Sequence, residues 1–358
     1  MRFKCYKNWE QLPDSAASLF DQCSKVSMFF TREWFETLSA TALEEGQSLL
    51  LVAVVDEQRV DEASIDETEA DKSRLLALLP LLESGDEHWR SCSHRYSALY
   101  SLLLAEDRQD DILDCLAQGL GQLPFRTLRL EPVADDDSNL IKLRTVLESR
   151  GFECHRNFFF YNWYHLTRGQ SFDEYMAERP AQLRNTIARK RRKLERERDC
   201  SIRMYRGSDV EQALTDYHAA YSSSWKAYEQ YASLLDALAI NLAVPHWTRL
   251  AVLYIDGEAA AAQLWFVVQG KASIFRLAYD EAWKQYSPGS ILTAWLMQYV
   301  IDTDRVEEID FLTGNESYKQ DWMSQRRTRS RLVLGRKREA SDEPGSFRSM
   351  LRRLFGLR

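Results

Sequence analysis

Apolar and polar residues follow two periodicities along this chain, and together they divide it into two stretches of similar layout. In the second stretch Ser201–Arg206 alternates as a short strand, and Asp209–Trp225 and Ala232–Leu242 carry apolar residues at helical spacing. Three strand-like runs follow, Thr248–Ile255, Ala260–Val268 and Ala272–Tyr279. Asp256-Gly257 joins the first two and suits a tight hairpin. Ser287-Pro288-Gly289-Ser290 then precedes the helical run Ile291–Thr303, where proline and glycine mark a helix start. Val306–Leu312 and Thr328–Gly335 read as the last strands, so the order is β-αα-βββ-α-β-loop-β.

The first stretch has much of that order. Ser48–Val55, Arg74–Leu82 and Tyr96–Leu104 read as strands, followed by a helix at Gln109–Leu120. A strand at Phe125–Leu130, a helix at Asn139–Arg150 and a strand at Asn157–Leu166 complete it. The repetition is one of layout, without a residue-level repeat. It predicts an α/β protein of two similar units, each a mixed twisted sheet flanked by helices. The expected divisions are 1–165, 166–335 and a tail at 336–358.

At 358 residues the chain is long enough for two domains of about 150 residues. With 45% hydrophobic and 28% charged residues it is not a disordered chain. A net charge of −7 and a pI near 5.6 argue against a dedicated nucleic-acid binder. No apolar run reaches the ~18 residues of a membrane span, and Met-Arg-Phe-Lys-Cys-Tyr-Lys lacks a signal-peptide core. The expectation is a cytoplasmic globular protein. Its six cysteines are scattered without a CxxC pair and are expected to be reduced. Cys92 and His94 lie close in sequence but fall short of a ligand set, so no metal is expected.

Charge is uneven. Residues 56–71 hold eight acids against Arg59 and read as an exposed hairpin loop. Residues 184–198 hold eight basic residues against Glu195 and Glu197, which suits a solvated helix face, a phosphate-binding stripe or an RNA contact. In the tail, Phe347, Met350, Leu351, Leu354 and Phe355 form an apolar stripe flanked by Arg348, Arg352 and Arg353. Such a helix either lies on an anionic membrane or docks on protein.

The turn Ser287–Ser290 carries the candidate chemistry. A strand followed by a small-residue turn into a helix leaves backbone N–H groups at the positive end of the helix dipole, a place suited to a pyrophosphate. Gly289 permits close approach and Ser290 adds a hydroxyl. An ordinary turn is the alternative. Glu316, in the polar loop after Val306–Leu312, is either a solvated carboxylate or, beside Tyr318 and Lys319, a general base.

The element order, this turn and the wording "LAYD…SPGSIL…DFLTGNESYKQDW" resemble the GNAT acyltransferases. More closely, they resemble the FemAB-related, CelD-like (BioF2-like) acetyltransferase branch. The close resemblance covers about residues 170–335. It implies tandem GNAT-like domains with a basic segment, here Leu183–Lys190, before the second. It implies acetyl-CoA or another acyl-CoA as donor, held by Leu277, Ala278, Tyr279, Ser287, Gly289 and Ser290. Tyr318 would protonate the leaving thiolate, and Lys319 would stabilise the oxyanion. Trp225, Lys226, Asp310 and Asn315 would shape the acceptor pocket. The acceptor would be an amine, such as an amino sugar or another envelope or polysaccharide precursor.

Two departures stand out. Ser287 and Gly289 occupy the small positions of the pyrophosphate motif, and Pro288 between them removes one N–H. The matching turn of the first unit, Leu104–Asp111, has no glycine and several acids, so that unit is expected to hold no cofactor. FemAB enzymes proper use aminoacyl-tRNA, which makes a charged tRNA the alternative donor. A third reading is a non-catalytic GNAT-fold scaffold in polysaccharide assembly. Nucleic acid is a partner only in the tRNA reading, and membrane contact is expected through 346–358.

Overall fold

A run such as Ala260–Val268 is apolar almost throughout. The computed structural model, which describes residues 1–57, 73–226 and 229–336, shows both faces of that strand covered. Ala262, Leu264, Phe266 and Val268 face one core, while Ala261 and Trp265 face another. A sheet covered on both sides reads as a continuous apolar run.

The first half comprises β1 (Arg2–Tyr6), α1 (Ala16–Ser24), α2 (Arg32–Thr41), β2 (Gln47–Asp56), β3 (Arg74–Ser84), β4 (His88–Ser91), β5 (Leu103–Leu104), α3 (Gln109–Leu120), β6 (Thr127–Ala134), α4 (Ser138–Ser149) and β7 (Phe152–Leu166). The second comprises α5 (Phe172–Ala177), α6 (Ala181–Glu197), β8 (Cys200–Tyr205), α7 (Asp209–Ser222), α8 (Ala232–Asn241), β9 (Thr248–Ile255), β10 (Glu258–Val268), β11 (Lys271–Tyr279), α9 (Pro288–Gln298), β12 (Glu308–Thr313), α10 (Lys319–Trp322) and β13 (Gln325–Arg336).

The described strands form one mixed sheet of 13, in the order β1-β2-β3-β4-β6-β13-β7-β12-β11-β10-β9-β8, with β5 paired to β3. The expected α/β architecture of sheet and flanking helices is present in both halves. The last strand, β13, lies between β6 and β7 of the first half. The larger core is shared: Trp34 of α2 meets Phe275 of β11 edge-on at 6.1 Å, and Asn241 of α8 donates to Thr37 Oγ1 at 2.9 Å.

Local chemistry explains most boundaries. Asp256 and Gly257 both have positive φ, 52° and 86°, as a two-residue hairpin of the primed type requires. Helix α5 starts on a capping box of Ser171 and Glu174. Trp265, Phe266 and Phe275 are core residues, and all six cysteines are free thiols. No cluster able to hold a metal occurs among the described residues. Nor is any described helix long and apolar enough to cross a membrane.

One strand is corrected. Of Tyr96–Leu104 only Leu103–Leu104 pairs in the sheet, and the preceding strand is β4. Local side-chain bonds close the start of that segment as a loop, with His94 N–H donating to Ser97 Oγ at 3.0 Å. Its backbone is satisfied by Ser97 N–H to His94 O, 2.7 Å, and across the core by Tyr100 N–H to Pro132 O, 2.6 Å. The acidic stretch after Asp56 and Glu57, and the tail after Arg336 with its apolar stripe, lie outside the described residues.

Candidate active site

The central feature is an opening between two parallel strands. β11 and β12 pair only at Lys271–Glu308, Ala272–Ile309 and Ser273–Asp310. β11 then continues to Tyr279, whereas β12 breaks register between Asp310 and Thr313 and turns to Asn162 of β7. The break passes through Leu312, whose φ of 55° is a strained value for a leucine.

Polar groups hold the break in place. Asp310 Oδ1 accepts from Leu312 N–H at 2.6 Å and from Asn162 Nδ2 at 2.5 Å. Arg327 donates at 2.6 Å to both Asp310 Oδ2 and Glu308 Oε1. Burial works against the Arg327 charge, but these two carboxylates raise its pKa. Both oxygens of Asp310 therefore serve the frame. Asn315 does likewise, accepting from Trp163 Nε1 at 2.9 Å.

One wall of the opening is the loop after β12. Gly314 has a φ of 110°, and a Cβ there would fall 2.4 Å from Glu316 Oε2, so only glycine lets that carboxylate fold back. Glu316 Oε2 pairs with Lys319 Nζ at 3.0 Å. Lys319 is 4% exposed and also donates to Phe311 O, 3.3 Å, and to Thr313 O. Three donors meet three acceptors, so Lys319 ties the loop to the end of β12. Burial pushes the Glu316 pKa upward, but the Lys319 hydrogen bond and the charges of Lys319 and Lys226 bring it below the ordinary carboxylate value. Tyr318 packs edge-on to Phe311 at 5.7 Å. Burial and the Glu316 charge push its hydroxyl up to about 12, so it carries its proton at neutral pH.

The opposite wall is β11 and the segment after α7. Lys226 Nζ donates to Leu277 O, four residues past the last β12 partner. Burial lowers its pKa to about 8, and the nearby Arg276 charge acts the same way. Trp225 beside it is 70% exposed. Arg276 lies 3.8 Å over the ring of Tyr96 and 3.3 Å from Glu229 Oε2, while Tyr96 Oη donates to Glu229 Oε1. The first half thus braces this wall through Tyr96. Sequence reading missed Tyr96, Glu229 and Arg276. A lone arginine within the apolar run Ile274–Tyr279 was the available signal.

The turn Ser287–Ser290 flanks the same strand. Ser287 takes the left-handed conformation, φ 56°, immediately before Pro288. A Cβ on Gly289 would stand 3.2 Å from the Tyr279 ring. Gln263, fully buried on β10 and also missed, anchors the first turn of α9 through Gly289 O at 3.0 Å and Thr293 Oγ1 at 2.8 Å. The expectation of several outward-facing N–H groups is corrected. Ser290 and Ile291 both donate to Ser287 O, at 3.1 and 3.2 Å, because the left-handed Ser287 aims its carbonyl into the turn. Cations approach from α6, where Lys190 Nζ reaches Gln285 O at 2.5 Å.

The opening therefore gathers Leu277, Lys226, Glu316, Tyr318 and Lys319, with Ala278, Tyr279 and the turn at one end. The opening thus lies between parallel strands beside the N-terminus of α9. Residues 181–320 match the family model of the acetyltransferase (GNAT) domain. Among solved structures the chain is similar to FemX, at 10% identity and a TM-score of 0.61, over 93% of this chain and 97% of that one. It is also similar to a conserved protein of unknown function from Bacteroides thetaiotaomicron VPI-5482, at 11% identity and a TM-score of 0.54, over 91% and 93%. Both likenesses are of fold. A tandem GNAT protein from the clavulanic acid biosynthesis pathway aligns over 95% of this chain and 100% of that one, at 10% identity and a TM-score of 0.48. No curated protein matches the chain.

Proposed function

We propose that this chain transfers an acyl group from a coenzyme A thioester to an amine, with the chemistry in the opening between β11 and β12. The observation that carries the reading is the pairing of a protonated phenol, Tyr318, and an ionised carboxylate, Glu316, on one wall with unpaired strand backbone on the other. A residue in a strand points its N–H and C=O to the same edge. Leu277 O is reached from the opening by Lys226, so Leu277 N–H faces it too and is the donor for the acyl carbonyl. Glu316 attracts the protonated acceptor and takes its proton, directly or through water. Tyr318 gives its proton to the leaving thiolate. Gly289 N–H, the Ser290 hydroxyl and the α9 dipole hold the pyrophosphate.

The wording of Phe275–Trp322 supports the FemAB-related, CelD-like branch, and the exposed Trp225 offers an aromatic face for a sugar ring. The acceptor we favour is accordingly an amino sugar or another envelope or polysaccharide precursor. It would be met in the cytoplasm with membrane contact through 346–358. A second reading, transfer from aminoacyl-tRNA, is favoured by the engaged N–H groups of Ser290 and Ile291 and by the basic face of α6.

Calorimetry separates the two. Micromolar binding of acetyl-CoA, a longer acyl-CoA or desulfo-CoA is the expected result. Binding of no CoA ester, together with tight tRNA binding that weakens steeply with salt, would replace the first reading by the second.

A further inference from the structure

We propose that Lys226 is an internal acceptor: when no external amine occupies the site, its ε-amino group takes the acyl group from the donor, and the resulting amide closes the opening. The inference rests on the thioester reading above and extends it to a modification site.

Position comes first. Lys226 Nζ is hydrogen-bonded to Leu277 O, and Leu277 N–H faces the same edge of β11. An acyl carbonyl held by that N–H lies within a few ångströms of the amine, which is attacking distance. The backbone at Lys226 is fixed as well. Lys226 N–H donates to Ser224 Oγ at 3.3 Å, Ser224 Oγ donates to Tyr221 O at 2.6 Å, and Ser223 O accepts from Glu281 N–H at 3.2 Å. Farther along the segment, Glu229 is clamped by Tyr96 and Arg276. The amine is therefore presented on a held segment rather than on a free surface side chain.

Protonation comes second. A thioester is attacked by the neutral amine. Two neighbouring cations, Arg276 and Lys319, favour the neutral amine, and Glu316 opposes them. Burial and the Arg276 charge bring Lys226 to about 8, so at pH 8 about half of it is neutral, against about 0.3% of an ordinary lysine.

The step balances without a further reactant. The Nζ lone pair attacks the carbonyl carbon, the C–N bond forms, and the C–S bond breaks with its electron pair leaving on sulfur. Tyr318 protonates the thiolate. The proton released by the amine passes through Glu316 and water and restores the phenol. One amine and one thioester become one amide and one thiol. The product has no positive charge and projects the acyl group into the opening, so transfer to external amines slows as the modification accumulates.

The test incubates the full chain with acetyl-CoA and no added amine, follows intact mass and maps the modified peptide. Desulfo-CoA binding is measured on the same preparation. The expected result is one acetyl group per chain, at Lys226, at a rate independent of protein concentration and rising with pH through about 8. It should form at least tenfold faster than on exposed lysines such as Lys25 and Lys142. The fast phase should vanish in a Lys226→Arg chain shown to be folded by circular dichroism. If desulfo-CoA binds and Lys226 is unlabelled, or is labelled no faster than Lys142, this inference alone is overturned. If desulfo-CoA does not bind, the thioester reading falls and takes the inference with it.

Discussion

Two helices in this chain begin alike, one in each half. α3 and α9 are both reached through a non-glycine residue in the left-handed conformation, Arg108 at φ 53° and Ser287 at φ 56°. The side chains around them differ in kind. The start of α3 carries Asp110 and Asp111 in its first turn. Arg74 grips Asp107 with two hydrogen bonds of 3.0 and 3.1 Å, and Arg108 pairs with Asp56 at 3.2 Å. The start of α9 carries no acid in its first turn and has Gly289 against Tyr279, while Lys190 of α6 bonds Gln285 just before it. Where a helix supplies its own carboxylates, its dipole is already answered. Where it does not, the dipole is left for an outside anion. The fold provides the geometry twice, and we propose that the side chains set which copy takes an anion.

The largest effect should come from making α9 resemble α3. Gly289→Asp adds bulk against Tyr279 and a like charge beside the pyrophosphate, on the order of 4 kcal/mol at about 4 Å and an effective dielectric near 20. That is roughly a thousandfold loss of desulfo-CoA affinity by calorimetry. A folded variant that binds normally would remove the distinction between the two turns.

Next in size is Tyr318→Phe, which should lower turnover about 100-fold with stability nearly unchanged. Turnover at the wild-type rate would mean that the loop after β12 only packs.

Acid tests whether the halves behave as one. Burial and neighbouring arginine charges hold His94 and His165 at about 4, against about 6.5 when unfolded. Between those values the unfolded chain binds more protons. Stability is therefore lost as pH falls from about 6.5 to 4, by on the order of 2 kcal/mol per histidine after allowance for solvent. A single calorimetric transition moving down together is expected from the shared core. Two transitions, only one of them pH-dependent, would contradict it.

The smallest effect belongs to the first-half turn. Arg108→Ala should cost less than about 1 kcal/mol in denaturant melts and leave donor affinity as it was.

What sequence could reveal follows the same division between local and distant. Asp256-Gly257 and Ser287–Ser290 were legible because turn chemistry is written in adjacent residues. The strand pattern of β9 to β11 was legible because burial on both faces leaves an unbroken apolar run. Tyr96–Leu104 misled because a mostly apolar run suits a buried loop as well as a buried strand. Residues 1–47, with β1, α1 and α2, were not read at all. The clamp of Tyr96 on Glu229 spans 133 residues, and no local pattern encodes it. Lys319 was read as a loop residue, whereas it opens α10. Its three backbone and carboxylate acceptors become visible only when β12 breaks at Leu312.

The position of β13 has a bearing on how the molecule comes into being. The strand that completes the first half is Gln325–Arg336, and its two neighbours, β6 and β7, are made well over 150 residues earlier. During synthesis β6 and β7 therefore leave the ribosome before the strand that pairs with both of them exists. Until then both strands present open hydrogen-bonding edges. The final closure joins residues far apart in the chain, which is the slow kind of contact to form. The first half cannot mature ahead of the second, and a chain interrupted after the site loop would have every residue of the opening yet expose a cleft in its own sheet.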